Sequence, residues 1–492
     1  MKHWRIVLLA VLGCVVLGLV VRAYLISTPP APVTPPAPVR EQFHASKPLR
    51  IDIIAADAVQ RASLLWLDRE LRYVLGRGQM RIAALGPALQ TDAFTLAVEL
   101  RPNAAALQLI APDGVVDRRT EVALPADTRL AIVHALAESL PAFLTAPEAK
   151  ADWGAFAGTD DETVYRTYTN LAGDLLGPAA EGFTRPRLTT QRSRTIERLE
   201  TLTRRHRDFT RAHALLAAAY LSLGGEDEAA LTQLAESRAE QALAMDEQLA
   251  EAHAVLGVVH TRRNEWSAAH ERFERALSLD PNTTIALEGL ACLLIDAGQQ
   301  QLALPIAERA AFLQPANAGA RECYAYAQIG SQGAELDPAT APPATAARVH
   351  ALVRLLNADM SAGRQWLRHA ASREDLSEWI EPLLAAAADR RSIPTALQAI
   401  TRAAREGRID AETEILCGAA LRQADFVFNR MSRLKREDAH VPLRILWLPQ
   451  TGFLRQHEGF EAIVADAGLP AFWQEQGKAD ICAAEPATYG CR

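Results

Sequence analysis

The chain has 492 residues, of which 49% are hydrophobic and 23% are charged, and its formal net charge is −7 at pH 7. This balance is typical of folded globular domains and excludes an intrinsically disordered chain. The net negative charge also argues against a protein that binds nucleic acids through their phosphates.

The N-terminus predicts a membrane anchor over residues 1–26. An apolar run that extends to about Ile26 follows the basic residues Lys2 and Arg5, and it is close to the roughly 20 residues that span a bilayer. Because positive charge precedes the run, we expect a single-pass protein of the bacterial inner membrane, with a cytoplasmic N-terminus and a periplasmic bulk. A cleaved signal peptide and lipoprotein processing at Cys14 are the open alternatives.

A proline-rich linker and a small α/β domain follow the predicted anchor. Residues 27–47 contain the sequence Pro-Pro-Ala-Pro-Val twice, which is typical of a semi-rigid, extended spacer. Residues 48–146 alternate short apolar strands, one of them at Met80–Leu85, with two amphipathic helices in the order β-α-β-β-β-β-α. This order resembles the small TolB-like domain that precedes helical repeats in many bacterial proteins, and the resemblance implies such a domain here.

One 34-residue pattern occurs twice, end to end, in residues 250–315. Its small residues let two antiparallel helices approach closely, Phe273 fills the space between successive helix pairs, and a proline ends each pair. The pattern resembles the tetratricopeptide repeat (TPR), and the resemblance implies a helical solenoid over residues 160–336. The first copy comprises Leu256, Gly257, Ala269, Phe273, Ala276 and Pro281, and the second comprises Leu290, Ala291, Ala303, Ala307, Ala310 and Pro315.

The C-terminal third of the chain predicts further helices and a distinctive tail. Residues 344–441 are helical without a 34-residue register, and we interpret them as divergent helical repeats. The aromatic tail 442–492 resembles the C-terminal part of bacterial TPR regulators that carry an effector domain in front. Only five residues precede the apolar run, so we expect no effector domain in this chain.

The cysteines divide into two groups by their surroundings. Cys482 and Cys491 flank a short loop in the tail, and this spacing favours a local disulfide in an oxidising compartment. The cysteines predicted to be buried thiols within helices are Cys292, Cys323 and Cys417.

The predicted fold class is therefore mainly α: a single transmembrane helix, a small TolB-like α/β domain, and a TPR-type solenoid with a disulfide-closed tail.

The sequence contains no recognised catalytic signature. GxxxxGK[ST], HExxH and GxSxG are all absent, so we predict a non-enzymatic protein with no cofactor, no metal and no small-molecule substrate. His253 and His260 lie two helical turns apart, which fits a metal or pH-sensing pair but fits packing at repeat positions better. An unrecognised hydrolase in residues 344–441 is the remaining enzymatic alternative.

The TPR resemblance implies a concave groove formed by the first helix of each pair. Its middle is small and apolar, which favours an apolar helix or an extended segment of another protein as the ligand over an acidic peptide tail. Two alternatives are that these positions only pack the solenoid, or that the chain's own aromatic tail fills the groove. The predicted groove residues are Arg211, Ala218, Glu251, Ala254, Val258, Arg262, Ile285, Glu288 and Ile295.

Two functional hypotheses follow from these features. The first is a membrane-anchored periplasmic scaffold or adaptor that binds another protein of the bacterial envelope through its helical array. The second is a sensory or regulatory subunit that passes a periplasmic signal to a separate membrane effector.

Overall fold

The computed structural model describes most of the chain from Leu49 onward. The predicted membrane segment 1–26 and linker 27–47 lie outside the described residues, and of the predicted strand Met80–Leu85 only Met80 is described. The described residues are 49–55, 64–77, 80, 93–125, 128–144, 158–176, 185–223, 228–314, 317–332, 344–357, 359–370, 375–437 and 439–491.

The structure corrects the predicted fold class and location. Among the residues that it describes, no helix is long and apolar enough to cross a membrane. The longest of them, Arg185–Arg205, has 21 residues but carries arginines along its whole length, whereas a bilayer-spanning helix needs about 20 mostly apolar residues. This finding contradicts the predictions of a single transmembrane helix and of a single-pass inner-membrane protein.

A four-stranded sheet with the strand order β1-β2-β3-β4 forms a small α/β unit. β1 and β2 are parallel, and β2, β3 and β4 are antiparallel. A parallel pair needs a crossover connection, and helix α1 lies in the chain between β1 and β2. The elements are β1 (Leu49–Ile54), α1 (Leu65–Arg77), β2 (Phe94–Arg101), β3 (Ala104–Ile110), β4 (Val116–Ala123) and α2 (Arg129–Phe143).

Helices that pack in successive pairs make up the next part of the chain. They share a core of leucine, alanine and aromatic side chains with little or no exposure to solvent. They are α3 (Glu162–Leu176), α4 (Arg185–Arg205), α5 (Thr210–Leu223), α6 (Glu228–Met245), α7 (Ala250–Arg262), α8 (Trp266–Leu279), α9 (Thr284–Asp296), α10 (Gln300–Leu313) and α11 (Ala318–Gln332).

The pairs predicted from the 34-residue pattern are present with that period. α7 begins at Ala250, α9 begins 34 residues later at Thr284, and α11 begins a further 34 residues on at Ala318. The second helices α8 and α10 are spaced in the same way. The array is therefore a solenoid of helix pairs that repeat every 34 residues in this part of the chain.

Shorter helices and a compact tail complete the described chain. The tail combines three short helices with 3₁₀ turns such as Leu443–Trp447. The remaining helices are α12 (Ala344–Leu356), α13 (Met360–Ala370), α14 (Glu381–Ala388), α15 (Ile393–Arg405), α16 (Ala411–Ala420), α17 (Ala424–Arg436), α18 (Gly452–Arg455), α19 (Gly459–Asp466) and α20 (Leu469–Gln476).

The turn inside a helix pair has the same backbone form in three pairs. Asn264 (φ 57°), Gly298 (φ 82°) and Arg422 (φ 56°) each adopt the left-handed region two residues before α8, α10 and α17. In each turn the next residue donates its backbone N–H to the carbonyl five residues earlier. Glycine and asparagine adopt this conformation with little strain. The pair α16–α17 thus keeps the repeat's turn although its sequence has lost the 34-residue pattern.

Indole side chains of the tail attach it to the end of α9. Trp447 Nε1 donates to the carbonyl of Asp296 (2.7 Å), and Trp473 Nε1 donates to the carbonyl of Ala297 (2.8 Å). The Arg444 guanidinium forms a buried ion pair with the Asp296 carboxylate, with contacts of 2.7 and 3.0 Å. Since the last carbonyls of a helix have no partner within the helix, the tail supplies donors that α9 lacks.

The disulfide prediction is confirmed at one place and corrected at another. Cys482 and Cys491 are bonded, and Cys417 is a free, buried thiol. Cys292 and Cys323 were expected to be buried thiols, but they form a second disulfide, with a Cα–Cα distance of 5.5 Å. The reason is tertiary: Cys292 lies on α9 and Cys323 on α11, and helix packing brings the two together.

Phe273 on α8 packs between two successive pairs, as the sequence predicts. Its side chain is 0% exposed. A β-carbon added at Gly257 on α7 or at Gly289 on α9 would lie only 2.5 or 2.3 Å from the phenyl ring. The absence of a side chain at these two positions therefore makes room for the ring.

We expect Phe273→Ala to lower the free energy of unfolding by about 3–5 kcal/mol, because it leaves a cavity that the neighbouring glycines cannot fill. Chemical denaturation followed by circular dichroism measures the change. Glu271→Ala, at an exposed position of the same helix, is the matched control and should shift the value by no more than about 0.5 kcal/mol. Equal effects of the two substitutions would contradict the packing role.

Candidate binding cleft

Helix α1 of the small α/β unit is buried on two adjacent stripes. Leu67, Leu71 and Val74 are each at most 1% exposed. The second stripe, formed by Trp66, Glu70 and Tyr73, is also buried, although a glutamate there would normally face water. α1 contacts β1, α2 and α3, so it is held between the sheet and the first repeat helices.

A buried ion pair joins α1 to the helical array. The Arg211 guanidinium on α5 donates to both carboxylate oxygens of Glu70, at 2.9 and 3.3 Å, and the hydroxyl of Tyr165 on α3 donates to the same carboxylate at 2.6 Å. Burial by itself would raise the pKa of Glu70, but the Arg211 guanidinium, together with Arg69 and the Tyr165 hydroxyl, holds that pKa below its usual value. The carboxylate therefore stays charged within the protein.

Aromatic rings enclose the Arg211 guanidinium. Its Cζ atom lies 3.9 Å from the ring centroid of Tyr73 on α1 and 4.9 Å from that of Tyr168 on α3. A guanidinium over an aromatic face gains cation–π energy, which is larger where water is excluded. One residue thus connects α1, α3 and α5.

The C-terminal end of α1 lies against the turn before α9. Asn282 Nδ2 donates to the carbonyl of Met80 at 2.9 Å. A β-carbon added at Gly76 would lie 1.8 Å from the Asp280 carboxylate, so only glycine permits this approach. α1 is therefore attached to the array at two places, near α5 and near α9.

A cleft of about 1090 Å³ lies between α1 and the array. Its walls come from α1 and the start of α2 on one side, and mainly from α3, α5, α7, the start of α9 and the end of α10 on the other. Apolar and aromatic side chains alternate with charged ones around it. Such a cleft can hold an extended segment or a small helix.

The structure brings four of the nine predicted groove residues together at this cleft. Arg211, Ala218, Glu251 and Ile285 all line it. They come from α5, α7 and α9, which are first helices of successive pairs. Arg211 is not free to meet a ligand, because Glu70 already holds it.

The other five predicted groove residues lie elsewhere. Ala254 and Ile295 are 0% exposed, and Val258 is half-buried. Arg262 donates to the carbonyl of Leu221, and Glu288 accepts from the side-chain amide of Asn317; burial raises the pKa of Glu288. The contacts of these five residues fit the alternative in which the predicted groove positions only pack the solenoid.

The tail does not line this cleft, but it covers the next part of the array. Arg444 reaches Asp296 on α9 and the Sγ atom of Cys323 on α11. The alternative in which the tail fills the groove thus fits the end of α9 and not the part beside α1.

The histidines make separate local contacts. His253 Nε2 is 3.0 Å from the carbonyl of Glu247, whereas His260 Nδ1 is 2.5 Å from the carboxylate of Glu265. Burial lowers the pKa of His253. These contacts belong to helix packing.

The sequence analysis missed the half of the cleft that comes from outside the repeats. Trp66, Arg69, Arg72 and Tyr73 on α1 and Arg129 on α2 all line it. One signal was available: Trp66, Glu70 and Tyr73 form a second stripe at helical spacing on a helix that already has an apolar face.

Comparison with known proteins leaves the family open. No protein-family model and no curated protein match the chain, so the resemblance of residues 48–146 to a TolB-like domain stays a prediction. Two similar solved structures are the crystal structure of MamA (16% identity, 37% of this chain, 89% of that chain, TM-score 0.23) and PilF of Pseudomonas aeruginosa (12% identity, 62% of this chain, 99% of that chain, TM-score 0.26). At TM-scores this low, the two likenesses carry no argument about function.

We expect Glu70→Gln to lower the free energy of unfolding by about 3–5 kcal/mol, because it leaves the Arg211 charge buried without a counterion. Asp68→Asn on the same helix is the matched control, since Asp68 pairs with a part-exposed Arg72 and such pairs contribute about 1 kcal/mol or less. Denaturant titration measures both. A loss for Glu70→Gln no larger than that of the control would contradict the role of the buried pair.

Asp280 predicts a pH dependence of stability. Burial raises its pKa to about 7, whereas an aspartate in an unfolded chain titrates near pH ~4. The unfolded state therefore releases the proton first, and this group lowers the free energy of unfolding as the pH rises from about 4 to about 7.

Asp280→Asn should remove that penalty while keeping the shape of the side chain. Thermal unfolding at pH 8 and pH 5 tests this: the variant should gain stability over the unaltered protein at pH 8, and the gain should shrink at pH 5. An equal difference at both pH values would show that Asp280 titrates normally.

Proposed function

We propose that this protein is a scaffold that binds a peptide segment of another protein in the cleft beside α1. The observation that carries the proposal is the cleft itself, whose array wall includes α5, α7 and α9, the first helices of three successive pairs. An extended ligand would contact one pair after another, which is how solenoids gain binding area. The proposal is of a non-enzymatic protein, because the sequence offers no catalytic signature.

The combination of apolar and charged side chains in the cleft supports a peptide ligand. Leu65 is 45% exposed, and Ile285 and Phe312 are half-buried; all three line the cleft. Exposed apolar side chains of this kind bind apolar side chains of a partner. Charged residues between them would fix the direction and register of the segment.

Site-specific photo-crosslinking tests this function. A photo-crosslinking residue at Ile285 should give an adduct with a separate protein in the cells that make this one. The same residue at Leu302, which is exposed on α10, is the matched control and should not give that adduct. Ala218→Trp places a large ring in the cleft and should abolish the adduct at Ile285.

Two results would overturn the proposal. One is the same set of adducts from Ile285 and Leu302, which would indicate random encounter. The other is an Ile285 adduct that persists in a folded Ala218→Trp variant, because the ligand would then lie outside the cleft. Circular dichroism of the variant shows whether it is folded.

A further inference from the structure

Two arginines from outside the repeats converge at one end of the cleft. Arg69 Nη2 on α1 donates to the backbone carbonyl of Thr169 at 2.6 Å. Arg129 Nη1 at the start of α2 donates to the hydroxyl of Thr169 at 2.7 Å and to the amide oxygen of Asn170 at 2.8 Å. Both guanidiniums thus bind neutral oxygens on the same turn of α3. We call this pair the arginine end of the cleft.

The nearby carboxylates are engaged with other groups. Glu70 lies 4.0 Å from Arg69 Nε, but it is bonded by two nitrogens of Arg211. Glu162 accepts the backbone N–H groups of Arg129 and Leu130 at the start of α2, where a carboxylate stabilises a helix N-terminus. In the described part of the chain no carboxylate forms an ion pair with the Arg129 guanidinium.

The other acidic side chains of this end have partners of their own. The carboxylate of Asp68 bonds Arg72 at 2.7 Å, and that of Asp174 lies 3.6 Å from Arg198. The arginine end therefore carries more positive than negative charge. Burial, followed by repulsion from Arg69, lowers the pKa of Arg129, and the carboxylate of Glu162 only partly offsets these effects.

The arginine end is held in place before any ligand arrives. The Arg129 Cζ atom lies 5.0 Å from the centroid of the Trp66 ring, and stacking of this kind fixes the plane of a guanidinium. Arg69 Nε is buried and has no hydrogen-bond partner among the described residues. A guanidinium whose plane is fixed can bind a carboxylate through two parallel N–H···O bonds.

We propose that the arginine end, Arg69 and Arg129, binds a carboxylate of the peptide whose remaining residues lie along the cleft. This inference rests on the proposed function and names the chemistry of its ligand. The carboxylate belongs either to the C-terminus of the peptide or to an aspartate or glutamate side chain. The ligand is thus anionic at one end, which the apolar positions of the repeats alone do not indicate.

Peptide-array binding to the full-length protein tests the inference without altering the protein. The probes are short random peptides in three forms: with a free C-terminus, with an amidated C-terminus, and with aspartate and glutamate replaced by their amides. Peptides that bind should weaken by about ten-fold or more when their carboxylate is removed. Loss on amidation identifies the terminal carboxylate, and loss on replacing side chains identifies an acidic residue.

Variants of the arginine end give the second arm. Arg69→Gln and Arg129→Gln should each weaken the acidic peptides by about ten-fold and leave the amide forms unchanged. Arg69→Lys and Arg129→Lys keep the charge but lose the two-bond geometry, so they should recover part of the binding. Arg391→Gln, at a side chain that is 94% exposed, is the matched control and should bind like the unaltered protein.

The outcomes separate this inference from the proposed function. Some peptides could bind the unaltered protein and lose binding in the Ala218→Trp variant, yet respond neither to removal of their carboxylates nor to the glutamine variants. That result would overturn the carboxylate site and keep the peptide cleft. Absence of any peptide sensitive to Ala218→Trp would overturn both. A glutamine variant that unfolds is replaced by its lysine counterpart. The peptide array with the unaltered protein still shows whether the carboxylate contributes to binding.

Discussion

The ion pair between Glu70 and Arg211 is the contact on which the arrangement of this protein depends. Removing a carboxylate and a guanidinium from water is costly, and the cost is recovered only where geometry and further hydrogen bonds are good. Here two guanidinium nitrogens, the hydroxyl of Tyr165 and the ring of Tyr73 supply those interactions. The small α/β unit is therefore fixed on the array, and one wall of the cleft belongs to each.

The remaining groove surface is limited by contacts within the chain. At the end of α9 the indoles of Trp447 and Trp473 bind the last carbonyls, and the Cys292–Cys323 disulfide joins α9 to α11. α1 covers the earlier helices. The space that stays open is the cleft between α1 and the array, and this explains why only some of the predicted groove residues face a space that a ligand can enter.

The charge of the cleft has a different origin from its shape. The repeats supply small and apolar side chains, such as Ala218 and Ile285, whereas Arg69 and Arg129 come from the α/β unit. The array also contributes charged side chains such as Glu251, but the two arginines of the α/β unit make one end of the cleft cationic. Specificity of a peptide scaffold depends on such charged positions at least as much as on the apolar area.

The sequence by itself determined the helix pairs α7–α8 and α9–α10, because small residues at a 34-residue period pack closely only in one register. It also determined the Cys482–Cys491 disulfide, because a separation of 9 residues keeps two thiols close in any compact loop. The membrane helix predicted from the N-terminal apolar run was wrong by the described helices, none of which is long and apolar enough to cross a membrane.

Only the tertiary structure decided the rest. Glu70 and Arg211 are 141 residues apart in the chain, and Cys292 and Cys323 lie on different helices, so no local pattern relates them. The cleft likewise depends on α1, because its two buried stripes pack against two parts of the chain, the α/β unit and the helical array. Local spacing determines which faces must be buried, but the partner of each face is chosen by the global packing of the chain.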